Sequence, residues 1–495
     1  MITEKNSRKL TPILLLLLTA MSLFFFLHLH PTVIISGDDW GNLTVSRGLY
    51  PQWGIANPIK VMPEVGYPLF ATLSTTLIMP LGFGFLESFS IITAIFISLL
   101  LTFFCHQLLL LLKIGLKANF YRAFILTILA YSLIFFLFNE AGNHKSLYML
   151  WEVNITCFYH YIAPALINSI LAIYIIRKKD MLSIVDFKKN GFAFCLIIFL
   201  ISYIAIFSSL FANVIIAVTC GVLLLFAFIE NSFSIKKTIQ KCPLHILIIL
   251  IWLIAVVFEA NGGRASSLGT GSLDIEGSVK IFNDLLSQVQ PIFIYSGSFL
   301  ILAGLAISTY ICINSTNKNN AKTFFICFLS GILTLVALIL LCSRAGSYYA
   351  ARPVVMWGIF LFCLVCVLIS IDFLSRKTSK GTNLFLTIVV CLMVYFNVTK
   401  DSTLQESINL NLNYKEGITV SQYIIDKVVE AEKNNQKNLI LAVPKGDDND
   451  NWPFPLYEGP FISKALKKHD LIKNDIYIEV KPDPSLNKKM SVPLN

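Results

Sequence analysis

Apolar runs about 20 residues long fill most of the first 398 positions, and no other feature narrows the fold as far. A backbone inside hydrocarbon must satisfy its own N–H and C=O groups, so runs of that length are expected to be helices that cross a bilayer. Eleven such spans are expected on that criterion, at approximately 11–30, 89–112, 121–138, 157–176, 191–210, 212–230, 243–259, 291–313, 323–342, 353–372 and 382–398. Composition agrees: 56% of residues are hydrophobic and 14% charged, where soluble domains carry about 25% charged residues. The expected fold class is an all-α polytopic membrane protein.

The formal charge of +10 could suggest a nucleic-acid partner, but the excess cations sit in short loops between apolar runs, which implies no basic groove and no nucleic-acid binding. With the N-terminus placed inside, inner loops carry 19 Lys and Arg residues (Lys5, Arg8, Lys9; Lys113, Lys117, Arg122; Arg177, Lys178, Lys179, Lys188, Lys189; Lys236, Lys237, Lys241; Lys318, Lys322; Arg376, Lys377, Lys380). Outer loops carry 7: Arg47, Lys60, Lys145, Arg264, Lys280, Arg344 and Arg352. That bias follows the positive-inside rule at every connection. It also decides residues 67–86, because counting them as a span would reverse every later loop. They are expected to lie along or dip into the outer face, broken by Pro68, Pro80, Gly82 and Gly84. The first outer loop then runs from 31 to 88.

The basic start before the first apolar run resembles a signal peptide. His28-Leu29-His30-Pro31-Thr32-Val33 offers no small-residue cleavage site, so a retained anchor is expected. The eleven cysteines run from Cys105 to Cys391, within or beside apolar runs, and leave the tail without a disulfide framework. Cys363-x-x-Cys366 lacks a second pair and reads as core. Beyond residue 398 the chain becomes polar. Residues 399–495 are expected to form a small α/β domain outside, with helices over 417–434 and 461–471 and strands over 438–443 and 475–480. Within it, Asp447-x-Asn449-x-Asn451 with Glu458 has calcium-loop spacing, but Trp452 stands where glycine is required.

Ser36-Gly37-Asp38-Asp39-Trp40 emerges just beyond the first span. Adjacent carboxylates there need water, a cation or a reaction partner, since burying each bare in hydrocarbon costs about 2.5–3.5 kcal/mol. A carboxylate so placed can deprotonate an acceptor hydroxyl as that oxygen attacks a sugar carbon activated by a lipid phosphate. The departing phosphate needs cations, and Arg264, Arg344 and Arg352 are the outer candidates. Sugar contacts are expected from Glu64, Lys145, Glu152, His160 and Tyr349, with Trp151 offering a ring face. A divalent cation, held if anywhere by Asp38 and Asp39, is left open.

The acidic SGDDW loop after the first span, the YPLF stretch opening an interfacial helix, the outer arginines and the C-terminal outer domain together resemble the GT-C superfamily of polyprenyl-phosphate-sugar-dependent glycosyltransferases. Length and tail are most similar to those of the serotype-converting O-antigen glucosyltransferases. The resemblance implies a GT-C-like fold, a hexose donor on undecaprenyl phosphate, with glucose the expected hexose, inversion at the anomeric carbon, and a lipid-linked O-antigen or other surface polysaccharide as acceptor on the periplasmic face of the inner membrane. It also implies membrane lipid, a flippase and a donor-synthesising glycosyltransferase as pathway partners. Family catalysis transfers only to Asp38 and Asp39. Members whose acidic pair leads with the base favour Asp38, and Asp39 stands beside it as an alternative. The rival readings are an O-antigen polymerase, which would carry its large outer loop mid-chain, and a transporter or flippase, which would show midplane charges and repeat symmetry.

Overall fold

The computed structural model describes residues 4–44, 61–136, 149–152, 154–178, 184–260, 273–289, 291–314, 318–376, 387–388, 391–392, 412 and 414–492, with side chains at all of these except 4–8, 184–190 and 260. Helices account for most of it. In chain order they are α1 (Glu4–Phe24), α2 (Gly37–Thr44), α3 (Tyr67–Leu73), α4 (Phe85–Leu110), α5 (Phe120–Phe136), α6 (Ile155–Lys178), α7 (Ile184–Ile206), α8 (Leu210–Glu230), α9 (Ile235–Lys241) and α10 (Pro243–Ala260). Then come α11 (Ile275–Ser287), α12 (Pro291–Asn314), α13 (Asn319–Ala345), α14 (Trp357–Ser375), α15 (Tyr414–Lys433), α16 (Gly459–Lys468) and α17 (Pro484–Met490).

Ten of the eleven expected spans coincide with helices among the described residues; the eleventh, 382–398, lies almost wholly outside them. Among the described residues seven helices are long and apolar enough to cross a membrane, and an eighth qualifies if α9 and α10, bent by 92°, are counted as one span. The apolar parts of α5 and α7 are shorter than those helices. At 1.5 Å per residue α5 rises about 26 Å, just under a bilayer's hydrocarbon thickness. The chain is an all-α polytopic membrane protein in architecture, with many large apolar side chains, among them Leu16, Phe192, Phe299 and Leu302, left exposed on the helices.

Residues 62–81 form a broken helix of π, α and 3-10 turns. Gly82 ends it at φ +97°, a left-handed conformation that glycine adopts without a side-chain clash, and α4 starts three residues later. Leu69, Leu77 and Leu81 remain exposed along this segment. It is thus separated from α4 at the point where the glycines and Pro80 foretell a break.

One end of the bundle gathers the residues assigned to the inner loops. Asp372, fully buried, accepts hydrogen bonds from Arg122 at 3.0 Å and Arg376 at 2.6 Å. Arg376 also reaches the Leu116 carbonyl at 2.5 Å, which Asn320 contacts at 3.1 Å. Lys322 pairs with Glu230 at 2.5 Å, and Arg177 donates to Gln107 at 3.2 Å. Such a buried carboxylate is tolerated because two guanidinium groups neutralise and hydrogen-bond it.

The tail folds as α15, strand β1 (Asn438–Val443), α16, strand β2 (Tyr477–Pro482) and α17. The two strands pair in parallel from Asn438 opposite Tyr477 to Val443 opposite Pro482. Parallel neighbours need a crossover, which α16 supplies. The first strand has the limits expected from its residues, while the second starts two residues later than expected. The tail packs on the segment leaving α1: Ser421 donates to the Ile34 carbonyl at 2.7 Å, and a Cβ at Gly417 would lie 2.7 Å from Ile35 Cδ1.

Candidate active site

Ser36-Gly37-Asp38-Asp39 starts a helix, and it does so through a capping box. The Ser36 hydroxyl accepts the Asp39 N–H at 3.3 Å, while Asp39 Oδ2 reaches back to the N–H groups of Ser36 at 2.9 Å and Ile35 at 2.8 Å. That reciprocal pairing turns Asp39 inward. Its other oxygen accepts the Thr156 N–H at 2.8 Å, fastening the segment after α1 to the start of α6. Asp39 is 0% exposed, whereas Asp38, one position earlier in the same helical turn, is exposed.

Burial pushes the Asp39 carboxyl up to about 6, against the pull of the Ser36, Ile35 and Thr156 donors. Three N–H groups on one carboxylate favour the ionised form, so Asp39 is an anion at neutral pH. Beneath it, the Tyr67 hydroxyl donates to the Asp39 carbonyl at 3.1 Å. The Tyr67 ring meets Phe89 and Tyr159 edge-on, each at 5.1 Å.

The segment entering α6 is held at the same point. Asn154 caps α6 by accepting the Cys157 N–H at 3.0 Å and donates to the Ser36 hydroxyl. The Ile155 N–H bonds the Val33 carbonyl at 3.3 Å, and Trp151 donates from its indole to the His30 carbonyl at 2.8 Å. Glu152, two residues before Asn154, is buried. His160, one turn into α6, is half-buried with Nδ1 3.1 Å from the Thr156 carbonyl. Glu64 is buried on the π-helical turn Met62–Gly66, which packs against the turn carrying His160.

Arg352 joins this group from the segment between α13 and α14. It is 7% exposed, with its guanidinium 5.2 Å from the Tyr161 ring and 5.9 Å from the Tyr349 ring. Its Nη1 lies 3.6 Å from Cys157 Sγ, and Cys157 directly follows the residue that binds Asp39. Tyr349 is buried against Phe211 and Tyr348. Arg344 ends α13, exposed, where a cation suits the helix C-terminus. Lys145 and Arg264 lie outside the described residues. Three expected outer loops therefore meet, with Thr156 and Cys157 as the hinge between the acidic loop and Arg352.

The described residues do not fit a divalent cation. Asp39 spends both oxygens on N–H donors, and among the described residues no three His, Cys, Asp or Glu side chains converge. In the tail, Asp447 Oδ1 accepts the N–H groups of Asn449, Asp450 and Trp452, so the calcium-like spacing closes its own loop.

Sequence reasoning overlooked α2 and α11, and it expected the tail to roof the site without a catalytic group and without naming the residues that touch it. Ser36-x-x-Asp39 is a legible capping box, and it would have separated the two aspartates. The tail contact carries no such signal: the Gly37 N–H donates to the Pro453 carbonyl at 3.2 Å, and Glu458 presses against Gly37.

No protein-family model matches the chain. Over 260 residues it is 27% identical to a protein described as an O-antigen ligase of Escherichia coli (strain K12), an alignment covering 41% of this chain and 61% of that protein. The chain thus spans about three-fifths of the length of this relative, and the similarity links a polytopic helical membrane protein to one named for O-antigen.

Proposed function

We propose that the chain is a GT-C-type glycosyltransferase of the bacterial inner membrane that transfers a hexose, glucose by resemblance, from undecaprenyl phosphate to a lipid-linked O-antigen or other surface polysaccharide at the periplasmic face, with inversion. The observation that carries this reading is the division of labour in α2: Asp39 is consumed in fastening the helix, and Asp38 is left exposed beside it. Asp38 takes the proton from the acceptor hydroxyl as its oxygen bonds to the anomeric carbon; the bond from that carbon to the lipid-phosphate oxygen breaks, and the phosphate leaves with the electron pair. Arg352, fixed between two rings beside the second outer loop, binds that phosphate and offsets its growing charge, with Arg344 nearer solvent. Arg264 is assigned the same role, and Lys145, Glu64, Glu152, His160 and Tyr349 line the sugar path. Similarity to a protein named as an O-antigen ligase supports an O-antigen-directed membrane enzyme.

That similarity also favours a second reading, in which a whole O-antigen chain is joined to its acceptor rather than one hexose added to it. Mass analysis of surface polysaccharide with and without the gene separates the two. A gain of one hexose per repeat supports hexosyl transfer; an unchanged repeat with polysaccharide lost from its carrier supports ligation. An unchanged polysaccharide in both strains refutes both.

A further inference from the structure

We propose that Glu458 of the tail is a further carboxylate of this site and binds the acceptor saccharide beside Asp38; this rests on the hexosyl-transfer reading. The loop before α16 presses on the start of α2. The Pro453 carbonyl accepts the Gly37 N–H at 3.2 Å, and a Cβ at Gly37 would lie 2.8 Å from Glu458 Cδ and 2.9 Å from Oε1. Only a glycine lets the carboxylate come so close. Adding the 3.8 Å between consecutive Cα atoms places the Glu458 carboxyl carbon within about 8 Å of the Asp38 Cα.

The position of Glu458 is fixed from both sides. Its Oε2 accepts the Leu456 N–H at 2.7 Å, its carbonyl accepts the first helical N–H of α16 from Ile462 at 2.8 Å, and Gly459 lies directly on the Ile478 carbonyl of β2. Glu458 Cδ, Oε1 and Oε2 all lie within 3.0 Å of where a Gly37 Cβ would stand, and Gly37 is the neighbour of the exposed Asp38. Adjacent side chains diverge, so Asp39 cannot share a sugar with Asp38, whereas a carboxylate arriving from another segment can. A saccharide presenting one hydroxyl to Asp38 holds its neighbouring hydroxyls within reach of Glu458, and a carboxylate accepts from such hydroxyls with charge-assisted strength. Tyr457, next in line and 71% exposed, adds an aromatic face of the kind that packs on sugar C–H groups. The ligand class that fits is a neutral, hydroxyl-rich saccharide.

The test uses the full chain in proteoliposomes with undecaprenyl-phosphate glucose and O-antigen-bearing lipid extracted from a strain lacking the gene. Glu458→Gln keeps an oxygen for the Leu456 N–H and removes the charge. The acceptor KM is expected to rise about ten-fold with the donor KM within two-fold of the parent. Gly37→Ala, which forces the carboxylate aside, is expected to raise the acceptor KM in the same way. An unchanged acceptor KM in Glu458→Gln overturns the inference. So does an equal loss for both substrates accompanied by protease cleavage of the tail, which would mark Glu458 as structural. Asp38→Asn is run in parallel: if it is inactive while Glu458→Gln behaves as the parent, only this inference fails, and if Asp38→Asn transfers normally the functional reading fails with it.

Discussion

Asp38 and Asp39 are adjacent and chemically identical, yet replacing each with asparagine should fail in different ways. In Asp39→Asn the amide oxygen can keep the Ile35 and Ser36 N–H groups, but Nδ2 then faces the Thr156 N–H, donor against donor, in a fully buried position. A buried donor left without an acceptor costs about 1–3 kcal/mol. Burial already lifts the carboxyl to about 6, so the ionised group is held at some cost at neutral pH, and the net loss falls at the low end of that range. Tryptophan fluorescence at a fixed heating rate should show an apparent midpoint lowered by on the order of 2 °C. Transfer by the surviving folded protein should be reduced only as far as α2 is misplaced. Asp38→Asn touches an exposed side chain, should leave the midpoint unchanged, and should cut turnover by about 10²-fold or more while donor binding persists. The reasoning is refuted if Asp39→Asn is thermally silent but inactive and Asp38→Asn transfers at the parent rate.

Arg352→Lys keeps the charge but loses the planar fork between Tyr161 and Tyr349, and donor KM in the proteoliposome assay should rise about ten-fold, while Arg344→Lys at the exposed end of α13 should matter less. Replacing Asp447, Asp448 and Asp450 together by Asn should leave transfer largely intact, because an amide oxygen at position 447 can still accept the loop's N–H groups; complete loss in an inserted protein would count against a structural role. Burial lowers the His469 imidazole to about 4, with its ring 5.2 Å from that of Phe85. The unfolded tail therefore binds more protons between about pH 6.5 and 4, so docking weakens as pH falls through that window, and limited proteolysis should show the tail released there in the parent but not in His469→Phe. A phosphatase reporter fused after Asn495 should be active in the periplasm, and a silent fusion would overturn the orientation.

Helix positions were legible because membrane spans write themselves locally: ten apolar runs became ten helices, and β1 kept its expected limits, since periodicity and turn residues sit in the segment they govern. The candidate site was legible only by loop. Charge and polarity picked out Asp38, Glu152, His160 and Arg352, but no spacing shows that Thr156 and Cys157 would join the acidic loop to the arginine, because that contact bridges residues 39 and 156 and residues 157 and 352. The capping box was the exception. Four consecutive residues held the reason that one aspartate is spent and its neighbour exposed, and reading the pair only as two carboxylates concealed it. Glu458 was beyond local reasoning altogether, since its proximity to Gly37 depends on the tail folding back over more than 400 residues.

The loop charges and the folded contacts are independent witnesses to one arrangement. Lys and Arg counts divide the loops into two sets without reference to which loops touch. The contacts then join members within a set: Arg122, Asp372, Arg376 and Asn320 around the Leu116 carbonyl at one end, and Asp39, Thr156, Cys157 and Arg352 at the other. A wrong span count between α5 and α14 would have interleaved the two sets, placing Arg122 and Arg376 on opposite sides although both bind Asp372. The chemistry of the ends differs as the membrane demands. At one end a buried carboxylate is neutralised by two arginines and locks helix ends together, a structural use of charge. At the other, the buried carboxylate is satisfied by backbone N–H groups, so holding it consumes no arginine, which leaves Arg352 and Asp38 for the roles proposed for them.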